Sequence, residues 1–320
     1  MSARWCVLAL VAGLTTAQAQ GSAPEFTTIR PSLDALAAPP APDPKADIAF
    51  GAFQRGQYAT AFKEAMKRIE ADPNDAAAMT LIGELYSEGA GVKLSPLEAA
   101  RWYKLGADHG DRQATFALGL GYLLGKGVAK DRAQAAALFE KAAARDHPGA
   151  LYNLAIMAIE GGAAAPDFKR ATSLFIRAAA AGSADAAYSL GLIYKTGAGA
   201  PKNPALAAEY MAQAARGDSI AGQVEYAIML FNGEGLAKDE AGAALWFAKA
   251  AARNNPVAEN RYARLLASGR GVQKNLVDAM KWHVLARTAG IKDPWLDGLL
   301  AAMSPRDKST VETAVRRYVQ

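Results

Sequence analysis

Cysteine is nearly absent, with Cys6 the single one in 320 residues. One thiol cannot build a disulfide framework, and it excludes every multi-cysteine metal site. Histidine is scarce too. His109, His147 and His283 are the only three, and none stands at ligand spacing from another or from the cysteine, so no metal is expected. Excess charge is small: 36 Lys and Arg against 31 Asp and Glu, a net of +5, with no run of five or six basic residues. That argues against a nucleic-acid partner, because nothing tracks a phosphate backbone. Beyond the N-terminus no stretch is long and apolar enough to span a bilayer. Gly-x-Ser-x-Gly, Ser-x-x-Lys, His-Glu-x-x-His and Walker signatures are all missing, and no cofactor is expected. Apolar residues are plentiful, at 51% against 21% charged, which rules out a largely disordered chain.

Residues 1–19 carry the three parts of a secretory signal. Arg4 is the positive start, Trp5 to Leu14 are uncharged and mainly apolar, and Ala17-Gln18-Ala19 is a small-residue cleavage site. Ten residues of helix span about 15 Å, half of a ~30 Å hydrocarbon core, so a cleaved signal fits better than an anchor. The expectation is export, with a Gram-negative periplasm as destination and Cys6 discarded on cleavage. Residues 20–45 hold six of the fifteen prolines without periodicity and read as a linker.

A strict repeat follows. The glycines Gly89, Gly125, Gly161, Gly197, Gly233 and Gly269 are each 36 residues apart, and all but Gly161 have a second glycine two positions on; Ala163 stands there in the third copy. Ala99, Ala135, Ala171, Ala207, Ala243 and Ala279 keep the same step, as do the large residues Tyr103, Phe139, Phe175, Met211, Phe247 and His283. A period in this range implies a solenoid. Each unit reads as two helices. The first glycine ends one helix in the left-handed conformation. Six residues later Ser95, Asp131, Asp167, Asn203, Asp239 and Asn275 are N-caps for the next, with Pro96 and Pro204 at N1. Both glycines of each pair read as structural turn residues rather than as a phosphate loop, since no strand precedes them.

These residues carry a resemblance. The run from Ala114 through Leu118, Gly119, Tyr122, Gly125, Gly127 and Asp131 to Ala135, Phe139 and Ala142 is similar to the Sel1-like repeat, a 36-residue relative of the tetratricopeptide repeat. The likeness covers residues 76–293 as six units, and departs from the pattern at Ala158, Ala163 and His283. It implies an all-α, right-handed α-solenoid of stacked helical hairpins. Residues 46–75 resemble one tetratricopeptide hairpin, an N-terminal cap, and residues 294–320 read as closing helices with Ser304 capping the second. Such arrays need shielded ends. The resemblance also implies a partner protein, with roles such as restraining sensor kinases of exopolysaccharide control or assembling envelope complexes. Disulfide-bearing relatives linked to cell-wall chemistry lend nothing, because their cysteines are absent here.

If the units superpose, four rows of the first helices face an inner groove. They begin at Thr80, Glu84, Ser87 and Glu88 and step by 36 residues. Units two to five are apolar there, through Phe116, Leu120, Tyr152, Ile156, Tyr188, Leu192, Val224, Ile228 and Phe231. Two readings stay open: side chains covered by neighbouring units, or an apolar groove that takes a partner helix or peptide. The histidines read as packing or surface residues, and Glu84/Glu88 as a solvated pair rather than a glycosidase dyad. The functional expectation is a non-catalytic interaction scaffold or regulator. The alternative is a cell-envelope enzyme, a peptidoglycan hydrolase or an accessory enzyme.

Overall fold

A computed structural model describes residues 47–161 and 165–319. The signal segment, the linker and Ala163 lie outside the described residues. Among the described residues there are sixteen α-helices and no strand. The helices α1 (Ile48–Gln54) and α2 (Tyr58–Ala71) form a short leading hairpin ahead of the first to sixth repeat hairpins. Six longer hairpins follow: α3 (Ala76–Glu88) with α4 (Pro96–Asp108), α5 (Arg112–Leu124) with α6 (Arg132–Ala143), and α7 (Pro148–Glu160) with α8 (Phe168–Ala180). Then come α9 (Ala184–Thr196) with α10 (Pro204–Arg216), α11 (Ile220–Asn232) with α12 (Glu240–Ala251), and α13 (Pro256–Ser268) with α14 (Leu276–Thr288). The helices α15 (Pro294–Ala302) and α16 (Pro305–Val319) close the array. From α1 to α15 each helix packs on the next, so residues 48–302 form an α-solenoid, and α16 folds back on α14.

Local chemistry starts every helix of the six hairpins. Ser95, Asp131, Asp167, Asn203, Asp239 and Asn275 each accept a first-turn backbone N–H, as expected of them. Such a cap contributes about 1 kcal/mol. The first helices have a second cap row that the sequence reading did not single out. It runs Asp75, Asp111, His147, Ser183, Ser219 and Asn255, again 36 apart. In every hairpin the N–H of the second helix's cap residue also reaches back to a carbonyl of the first helix. The third hairpin keeps this bond, Asp167 N to Ala158 O at 2.9 Å, although Gly161 has ψ −39 where Gly125 has ψ 34.

The two glycines of each pair do different work. Gly125 ends α5 at φ 69, left-handed as expected. Gly127 lies against the preceding repeat, where a Cβ would stand 1.9 Å from the Pro96 carbonyl oxygen. Gly235 and Gly271 repeat that approach at 2.0 Å from Pro204 and Glu240. The second glycine is therefore a contact between repeats as well as a turn residue.

The constant alanines and the large residues four positions on are all buried. Small residues of the first helix receive those large ones, as Gly119 receives Phe139 and Gly191 receives Met211, each leaving a Cβ only 2.7 Å of room. Side chains then tie one second helix to the next. Lys141 donates to Ala107 O at 3.3 Å, Arg177 to Ala143 O at 2.8 Å and Gln213 to Ala179 O at 2.8 Å. Each adds a second donor to a carbonyl near the end of the preceding helix that already accepts a backbone N–H from the turn, as Ala143 O does from Asp146 N at 3.0 Å.

Candidate functional site

Consecutive first helices touch directly at α3–α5 and α9–α11. A polar bridge joins the second of these pairs, where Lys195 Nζ donates to Glu225 at 2.8 Å. Direct approach of this kind places the first helices side by side along one face of the array.

The row that starts at Glu84 is partly covered, with Leu120, Ile156, Leu192 and Ile228 each packed on one side against the core clusters. Glu84, Leu120, Ile156, Leu192 and Ile228 are half-buried and Arg264 is exposed. Phe116, Tyr152 and Tyr188 are half-buried beside it. The Phe116 ring stacks on His147 at 4.3 Å, and Tyr152 lies 5.6 Å from Phe175. Burial raises the pKa of Tyr152 and Tyr188, so both present neutral hydroxyls.

Two expected groove residues are placed differently. Val224 is 7% exposed and belongs to the C-terminal core, because its position packs inward there as Thr80 and Asn260 do in their hairpins. Phe231 is half-buried, but its ring faces are taken by cations, Arg270 at 4.4 Å and Lys238 at 5.9 Å from the centroid. Both cations bridge to Glu240, whose carboxyl they hold down to about 2. The sequence reading missed this cluster because its members come from two turns in successive repeats.

Charge divides between the ends of the row. Glu84 and Glu88 stand in the first hairpin with no ion-pair partner among the described residues. Burial, and then the Glu88 charge, raise the Glu84 pKa. At the other end Arg264 pairs with buried Asp293 at 3.3 Å and covers the Trp295 ring at 5.3 Å. Exposed Arg261 sits one turn before it.

The histidines are structural. His109 follows the end of α4 and is exposed, while His147 caps α7. His283 is 0% exposed, with Nε2 2.9 Å from Asp297 Oδ1 and Nδ1 buried without a partner. A ring so enclosed cannot reach a substrate. No group of three or more metal-ligating side chains occurs among the described residues, and none of their helices is long and apolar enough to cross a membrane.

Hairpins of constant length, capped at both helix starts and stacked through small residues, define a helical-repeat solenoid. The chain belongs to the Sel1 repeat family, whose model matches residues 76–111, 112–147, 148–183, 184–219, 220–255 and 256–290. It is similar to a Sel1 repeat protein from Oxalobacter formigenes, at 32% identity over 75% of this chain and 98% of that one, with a TM-score of 0.67. The fold is shared with c5321, a protective antigen of uropathogenic Escherichia coli, at 24% identity, 82% and 64% coverage and a TM-score of 0.51. No curated protein matches the chain. Folds of this class are typical of protein–protein interaction scaffolds.

Proposed function

We propose that this chain is an exported, non-catalytic scaffold or regulator that holds a partner protein or peptide along its first helices, in envelope or exopolysaccharide signalling. The observation that carries the reading is the row Leu120, Ile156, Leu192 and Ile228, four aliphatic side chains that pack against the core yet stay only half-buried in four successive repeats. A solvated face would place polar residues there, and apolar surface left open in register marks an interaction site. The enclosed His283 and the structural use of His147 support a non-catalytic role. Export rests on the signal-like residues 1–19.

Ile156→Arg combined with Leu192→Arg tests the reading on a partner recovered by in-cell crosslinking. Binding is expected to fall at least tenfold with an unchanged melting temperature, whereas a collapsed melting temperature would make these residues core. The purified processed chain is expected to begin at Gln20 and to release nothing from peptidoglycan. Released fragments would favour the hydrolase instead.

A further inference from the structure

We infer that the first-helix face selects its partner segment by charge polarity: an apolar, extended stretch with a cationic end at the first hairpin and an anionic end at the sixth. This rests on the reading of that face as the binding surface. Along the row, Glu84 is followed by four half-open aliphatic residues and then by Arg264. The acidic end is reinforced by Glu88, and neither glutamate has an ion pair among the described residues. At the basic end Arg264 is partly compensated by Asp293, while exposed Arg261 has no ion pair among the described residues.

Between the two ends two charge pairs are closed, while exposed Asp185 beside Tyr152 has no ion pair among the described residues and adds to the negative charge of the acidic half. Lys195 meets Glu225 at 2.8 Å, and Glu160 meets Arg132 at 2.8 Å. The face therefore carries unbalanced negative charge at one end, apolar surface in the middle and positive charge at the other. Complementary charge on a ligand fixes its register and disfavours the reversed arrangement.

Packed helices lie about 8–10 Å apart, so five repeat steps from Glu84 to Arg264 span roughly 45 Å. An extended segment at about 3.1 Å per residue covers that in about 15 residues, and its three-residue turn of ~9 Å presents one side chain per repeat. A helix would need about 30 residues for the same span.

The test is a selection of random 16-residue peptides on the immobilised full chain, followed by affinity measurements. Enriched peptides are expected to carry Lys or Arg near one end, Asp or Glu near the other and apolar residues between. Glu84→Lys with Glu88→Lys should weaken the best peptide about 5- to 10-fold, and a peptide with its basic end changed to Glu should regain that loss. Glu88→Lys and Arg261→Glu, both at exposed positions, should each act in the same direction with an unchanged melting temperature. Peptides that lose binding to Ile156→Arg yet ignore every charge variant would leave the groove standing and sink the polarity. Enrichment that ignores Ile156→Arg, or no enrichment, would remove the groove reading and this inference with it.

Discussion

At position 147 the first-helix cap row carries histidine where the other hairpins have Asp, Ser or Asn. Its Nδ1 accepts from Ala150 N at 3.2 Å, so the ring proton sits on Nε2, which donates to Gln113 Oε1 at 2.8 Å. Only the neutral imidazole makes both bonds. Burial lowers the His147 pKa below its ordinary 6.5, and the Arg112 charge lowers it further. The folded value therefore lies below the unfolded one. The stabilisation is complete above 6.5 and is lost as the pH falls through the folded value. His147→Asn retains a cap and removes the titration. The wild-type melting temperature is expected to drop more than that of the variant between about pH 7.5 and pH 5.5. Equal drops in the two proteins would show that His147 does not carry the dependence.

Elements are joined by contacts that recur once per repeat, and the second-helix ladder is the plainest of them. Arg177 donates to Ala143 O at 2.8 Å and also pairs with Asp146 at 2.7 Å, while Gln213 makes the equivalent bond one repeat later. Arg177→Ala or Gln213→Ala should cost about 1 kcal/mol in urea unfolding, since each removes a side-chain hydrogen bond between successive second helices, although the carbonyl keeps its backbone donor. Lys104→Ala breaks an exposed pair within one helix, Lys104 with Asp108, and should cost less. If all three cost the same, the ladder adds nothing to stability. Helix starts and stops were legible in the sequence because caps act on the next few residues: Asp131 and Gly125 declare themselves within one turn. The cap row through His147 was legible in principle by its 36-residue step, but its chemistry varies from Asp to His to Ser. The second glycine was not legible as a contact, because what crowds Gly127 is the Pro96 carbonyl of another repeat. The candidate face was read in register from row spacing alone. Spacing could not show that Arg270 and Lys238 cover Phe231, or that Val224 turns into the core.

Across residues 48–319 the core is not one mass but a series of clusters strung along the array. One gathers around Ile82 and Leu85, a central one around Phe139, Leu151, Phe175 and Leu190, and a C-terminal one around Phe247, Met280, Leu296 and Val311. Each hairpin packs chiefly on its neighbours, so stability is a sum of repeat and nearest-neighbour contributions rather than one global quantity. The C-terminal cluster depends on α15 and α16. Val311 is 2% exposed, and Tyr318 meets Trp282 edge-on at 5.1 Å. Val311→Asp buries a carboxylate in the C-terminal apolar cluster and should cost at least about 2 kcal/mol locally. Hydrogen exchange should then quicken in α13 to α16, with α5 to α9 keeping their protection because their contacts lie several repeats away. Quickening of equal size in every helix would mean that the array opens as one cooperative body, and that a partner on the central face would feel the state of the closing helices. Confined quickening leaves the row from Leu120 to Ile228 on a frame whose stability is set by its own repeats.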